Sequence, residues 1–194
     1  PKSSDFLKRT FLGYHRDNGA VGTENNWLII PLVFCQNRNV EILKKTMLDK
    51  FGYEKSVKDT YNIDELVHKY NSGASENELL ELDLIKSSHN NKNKPLFSNV
   101  DGIYFLTHDG GCGGATSDAV TLCNLLAGYI NNPNIAGATV LSLGCQHAQI
   151  KLVEKALKRI APNTKKPIYF LEQQQSKSEP EFLADAIKIT FTGL

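Results

Sequence analysis

The chain has 194 residues, 41% hydrophobic and 22% charged, with 22 basic against 21 acidic side chains and a formal net charge of +1. That is apolar material for a core of ordinary size, without the basic excess that marks a nucleic-acid surface. No apolar run reaches the roughly 20 residues of a membrane helix, and the opening PKSSDFLKRT lacks the charged-then-apolar layout of a secretory signal. Nucleic acid and membrane are therefore not expected partners. The expectation for residues 1–194 is a single α/β domain, a fragment of a longer cytoplasmic chain.

FLGYHRDNGAVGTENN (11–26) carries DNG and GT turn signals and few core candidates. It reads as a short irregular or hairpin segment lying against the sheet. WLIIPLVF (27–34) is an apolar, β-branched strand, and NRNVEILKKTMLDKF follows with Val40, Leu43, Met47 and Leu48 at helical spacing. Residues 53–99 break this layout. IDELVHKYN and SENELLELDLIKSS read as helices and HNNKNKP as a polar loop, giving a helical insertion between the first two core strands, with His68 and His89 in solvent.

The strand-then-helix layout then repeats three times. GIYFLT (102–107) precedes SDAVTLCNLLAGYI, with Ser117 or Asp118 able to cap. ATVLSLG (138–144) precedes HAQIKLVEKALKRI, where Ile150, Val153, Leu157 and Ile160 form a stripe. PIYFLE (167–172) precedes EPEFLADAIKITF, with Pro180 in the first turn. Strands alternating with amphipathic helices predict an α/β fold. Its sheet is mostly parallel with helices on both faces, a Rossmann-like three-layer arrangement. Every strand-to-helix junction then opens on one edge, the edge at which open α/β sheets bind ligands.

Those junctions hold Cys35 with Gln36 and Asn37; His108, Asp109 and Cys112 among Gly110, Gly111, Gly113 and Gly114; Cys145, Gln146, His147 and Gln149; and Glu172 with Gln173, Gln174 and Gln175. Cys123 falls within a helix and reads as a small core residue. The four cysteines are far apart without a C-x-x-C pair, so reduced thiols are expected. Tyr14 and Trp27 are expected to pack, and Lys44, Lys45 and the lysines of KKP (165–167) to be surface charge.

A glycine-rich loop feeding a helix can cradle an anion. HDGGCGG, however, matches neither G-x-G-x-x-G nor the Walker pattern, and Asp109 would repel phosphate. A thiol nucleophile at Cys112 with His108 as its base is a second reading. A metal site uses more of the set, since thiolate, imidazole and carboxylate are ligands of zinc and ferrous iron. Spacing alone does not select among these.

FLGYHRDNGAVGTENNWLIIPLVFCQNRN, VDGIYFLTHDGGCGG, NIAGATVLSLGCQHAQI and IYFLEQQ, in this order, resemble the altronate and galactarate dehydratase family of sugar-acid hydro-lyases. The resemblance is to its second, middle domain and closer to the altronate branch. It implies removal of water from a hexonate to give a 2-keto-3-deoxy sugar acid, with a divalent metal, usually Fe(II). The partners it implies are the sugar acid and the remaining domains of the longer chain; a homo-oligomer is left open. It also implies His108, Cys112, Cys145 and Glu172 as metal ligands or their close support. Arg16 or Asn25, with Gln149 and the backbone of Gly110, Gly111 and Gly113, would hold substrate. His147 would be either a proton-transfer group or a helix-start residue. Glu24 stands where the family often has Arg. Two other outcomes are open: a non-catalytic scaffold supplying half of a site to a C-terminal region, and a thiol-dependent enzyme using Cys112.

Overall fold

The computed structural model describes residues 10–53, 59–87 and 94–194. The expected hairpin is present: β1 (Tyr14–His15) and β2 (Val21–Gly22) pair antiparallel. The chain then enters β3 (Asn26–Pro31), every residue of which is buried. An apolar run without alternation is what a strand covered on both faces requires. A single 3-10 turn (Phe34–Gln36) leads into α1 (Asn37–Phe51), which ends on Gly52 in the left-handed conformation.

The insertion is only partly helical. It contains β4 (Asp59–Tyr61), α2 (Ile63–Asn71), α3 (Glu76–Leu80) and β5 (Ile85–Ser87). The second expected helix stops at Leu80, and its remainder forms β5, antiparallel to β4. The reason is visible in the side chains: Leu82 and Leu84 are half-buried while Asp83 and Ile85 are exposed, a period of two. A Ser75–Glu78 capping box fixes the start of α3. Neither α2 nor α3 buries a residue, and His68 is exposed as expected. His89 lies outside the described residues.

The remaining elements are β6 (Gly102–Phe105), α4 (Thr116–Asn131), β7 (Ile135–Ser142), α5 (Ile150–Ile160), β8 (Ile168–Glu172) and α6 (Glu179–Gly193). Four strands form a parallel sheet in the order β6-β3-β7-β8, with Leu28 opposite both Tyr104 and Ala138, and Val140 opposite Phe170. Even positions of β3 (Leu28, Ile30) pack with Leu126, Ile130, Val153 and Leu157 of α4 and α5. Odd positions (Trp27, Ile29) pack with Val40, Leu43 and Met47 of α1 and with Phe182 and Ala186 of α6. Helices thus cover both faces, as the alternating pattern predicts. One buried polar chain crosses the second layer: the Trp27 indole donates to Thr139 Oγ1 at 3.0 Å, and Thr139 shares a 2.7 Å hydroxyl bond with Thr190.

The cap of α4 differs from expectation. Asp118 lies inside the first turn and reaches back to accept from the backbone N–H of Ala115, at 3.1 Å. Among the described residues no helix is long and apolar enough to cross a membrane.

Candidate functional site

All four parallel strands point the same way, so Cys35, the His108 loop, Cys145 and Glu172 lie along one edge, beyond the strands' carboxyl ends. The chain runs outward from β3 to β6 and then returns to β7 on the other side of β3. Such a reversal opens a crevice between the loops of β3 and β7. Here the glycine loop after β6 fills it. Phe34 N–H donates to the Gly110 carbonyl at 2.9 Å, while His147 and Ala148 N–H groups donate to the Gly111 carbonyl at 3.0 and 3.1 Å. Gly111 has φ +100, and a Cβ there would collide with the backbone of Leu32 and lie 2.7 Å from Val33 Cα. Only glycine fits this approach.

His108 is held by both ring nitrogens. Nε2 lies 2.8 Å from the Pro31 carbonyl, to which it donates, and Nδ1 accepts from Gly110 N–H at 3.2 Å. Asn37 bridges to the His108 main chain, donating to its carbonyl at 2.9 Å. This imidazole therefore fastens the loop to β3, and neither nitrogen is available to Cys112 while those bonds hold. Cys35, Cys112 and Cys145 are exposed, as are His147 and Gln149. The loop's outer side lines a cavity of about 300 Å³ with Asp109, Gly110, Gly111, Cys112, Gly113, Gly114 and Asp118. Two carboxylates line it, and Asp118 already occupies the positive end of α4, so a phosphate cradle is electrostatically disfavoured.

Beneath the edge, glutamines that the sequence places at the junctions form an amide network whose burial was not foreseen. Gln36 and Gln146 are fully buried. Gln36 donates to Gln173 Oε1 at 2.6 Å and accepts from Asn39 at 2.7 Å. Gln146 donates to Ser142 Oγ at 2.6 Å and accepts from Gly144 N–H at 2.7 Å. Ser142 in turn donates to Glu172 Oε2 at 3.5 Å, and Gln175 donates to Glu172 Oε1 at 3.0 Å. Gln149 donates to the Gln146 carbonyl. Polar residues beside strand ends were the available signal, but amides carry no periodicity that would announce burial.

Arg16 and Asn25 lie elsewhere. Asn25 precedes β3, at its amino end, so the six-residue strand, roughly 20 Å long at ~3.3 Å per residue, separates both residues from the glycine loop. Arg16 donates from Nε to the Pro133 carbonyl at 2.7 Å and from a terminal nitrogen to Asn25 Oδ1 at 2.8 Å. Glu24 accepts from Asn26 at 2.7 Å. The structure does not bring Arg16 and Asn25 together with the cysteines on one ligand-sized centre. Nor, among the described residues, do three of His, Cys, Asp and Glu come close enough together to hold a metal ion. As they stand, His108, Cys112, Cys145 and Glu172 do not make a metal site on their own.

Residues 13–194 match the model of one family, the second domain of D-galactarate dehydratase/altronate hydrolase. The chain belongs to that family. It is 27% identical to altronate dehydratase of Bacillus subtilis (strain 168) over 173 residues, 89% of this chain and 26% of that protein. It is 22% identical to altronate dehydratase of Escherichia coli (strain K12) over 168 residues, 87% and 25% of the two chains. The chain thus spans about a quarter of the length of these curated relatives. No solved structure matches it.

Proposed function

We propose that the carboxyl edge of this domain forms one wall of a site that removes water from a sugar acid of the altronate type. Supporting this reading is one observation above all: exposed Cys112, Cys145, His147 and Gln149 stand on loops locked to one another through Gly110 and Gly111. A preorganised backbone carrying exposed reactive side chains is what a site needs and what a simple turn does not. The reaction takes the proton α to the carboxylate and expels the β-hydroxyl as water, leaving an enol that becomes a 2-keto-3-deoxy acid. A base must accept the first proton and an acid must supply one to the departing hydroxyl. His147, exposed in the turn before α5 and with no ring hydrogen bond among the described residues, is the proton-transfer candidate. The N–H groups of residues 111–114, which have no partner among the described residues, are the substrate donors, while Gln149, whose amide hydrogens go to Gly144 and Gln146, offers its side-chain oxygen to a substrate hydroxyl.

A divalent metal, which the family resemblance suggests as Fe(II), would neutralise charge on the substrate carboxylate. Cys112, Cys145 and Glu172 are the side chains this edge can offer it, and further ligands would have to come from outside the described residues. That requirement favours a second reading, in which this domain supplies half of a site completed by other parts of a longer protein. Both readings meet the same experiment. The full-length protein and this chain alone are incubated with D-altronate and D-galactarate, with and without Fe(II), and the 2-keto acid product is quantified. Turnover by the full-length protein, lowered about tenfold or more in Cys145→Ser, is the expected result. Turnover by the chain alone would remove the half-site reading, and no product from either acid with the full-length protein would overturn both.

A further inference from the structure

A second cavity, of about 190 Å³, lies at the opposite, amino edge of the sheet, lined by His15, Arg16, Asp17, Asn18, Lys165 and Lys166 among others. Lys166 is half-buried rather than free surface charge: its ammonium caps α4, donating to the Ile130 carbonyl at 3.0 Å and the Asn132 carbonyl at 2.7 Å. An ammonium has three donors, so one is left. Arg16 spends Nε on Pro133 and one terminal nitrogen on Glu24 and Asn25, leaving its other terminal amino group without a protein partner among the described residues. Neither cation has a carboxylate within ion-pair distance among the described residues. The acid lining the cavity, Asp17, has its Oδ2 engaged by the Lys165 N–H at 3.2 Å.

We infer that this cavity is an oxyanion-binding site, in which Arg16 and Lys166 together hold one terminal carboxylate or phosphate group. Two tethered cations with spare donors and no ion-paired carboxylate, joined by Lys165 and opposed by Asp17 alone among the lining acids, form a concave pocket with a positive balance. A water takes about 30 Å³, so the space admits one such group with a little solvent. Arg16 supplies the hydrogens of its remaining terminal amino group and Lys166 a point charge with one free hydrogen, donors of the kind an oxyanion accepts from. Burial, followed by the field of Arg16, pushes the Lys166 ammonium down to about 8, so an anion seated between them would relieve an existing strain. Phosphate binding alone would establish the site, whatever becomes of the sugar-acid reading.

The test is calorimetric titration of the intact protein with inorganic phosphate and, separately, with D-galactarate, at pH 7 and pH 9. Saturable binding of phosphate only marks a phosphate site, and binding of galactarate marks a carboxylate site. Lys166→Gln is expected to weaken either by about tenfold, the loss of one charge-assisted hydrogen bond. Wild-type affinity should fall from pH 7 to pH 9 as Lys166 loses its proton, although phosphate itself becomes more anionic. His15, Asp17 and Lys165 are the other ionisable side chains lining the cavity, and Lys166→Arg, which keeps its charge, should flatten the fall. Because Arg16→Gln also cuts ties of the hairpin, the comparison of Lys166→Gln with Lys166→Arg is the decisive one. Saturable binding of neither anion, or affinities that Lys166→Gln leaves unchanged, would overturn the inference.

Discussion

At the scale of single residues, the four cysteines divide by environment. Cys123 is buried against the sheet, and burial pushes its thiol up to about 11, whereas Cys35, Cys112 and Cys145 face solvent. The thiolate is the form that alkylates. Iodoacetamide at pH 8 should therefore modify three cysteines and spare Cys123 until denaturant is added, read by peptide mass spectrometry. Labelling of Cys123 at a comparable rate in the folded chain would contradict its place in the core. Gly111 makes an equally local prediction. Its positive φ and the adjacent Leu32 backbone exclude any Cβ, and backbone cannot rotate aside as a side chain could. Gly111→Ala should cost roughly 3 kcal/mol or more, since strain and a backbone collision combine. Gly113→Ala meets the same φ penalty but open space, and should cost less. Chemical denaturation of the two variants separates collision from dihedral strain.

At the scale of elements, the four parallel strands and the helices after them were legible because their apolar periodicity survives in any local window. β4 and β5 were not, because a three-residue strand pair needs its partner before it becomes a strand. The glycine loop's place on the carboxyl edge followed from strand polarity, but its role as a plug across the β3–β7 crevice did not, since that depends on where the Leu32 backbone lies. The burial of Gln36 and Asn39 was illegible for a similar reason, although Gln36 was placed at the first junction: it is created by β8 bringing Gln173 over α1. Gln36→Leu should leave Asn39 and Gln173 short of partners and cost about 1–3 kcal/mol, measurable by urea unfolding. Lys166 read as surface charge in the sequence, and only the end of α4 shows otherwise. Its proton leaves the folded protein near pH 8 but the unfolded chain near the ordinary lysine value of 10.5. Between those values the unfolded state binds more protons, so this group makes stability rise with pH. Relative to Lys166→Gln, the wild type should gain stability from pH 7 to pH 9. The gain is on the order of 1 kcal/mol at most for a half-buried group. A parallel pH dependence in both proteins would contradict this.

At the scale of the whole molecule, the sheet separates two chemistries. Exposed thiols, an imidazole and a carboxylate occupy its carboxyl edge, and a positively charged cavity its amino edge. In relatives about four times as long, something must decide which edge meets the rest of the protein. The carboxyl edge is the better fit, because its side chains are poised on a locked backbone yet make no complete ligand set among the described residues. If other parts of the longer protein close over this edge, they must shield the thiols that the isolated domain leaves open. Alkylation kinetics provide the measurement. Cys112 and Cys145 should react about tenfold or more slowly in the full-length protein than in this chain alone, because reagent access falls with burial. Added D-altronate should slow them further if the sugar acid sits against the same wall. Cys123, buried in this chain, supplies the internal reference. Equal rates for Cys112 and Cys145 in the two proteins would show that this edge stays open to water, and the completed site would then have to be sought away from the glycine loop.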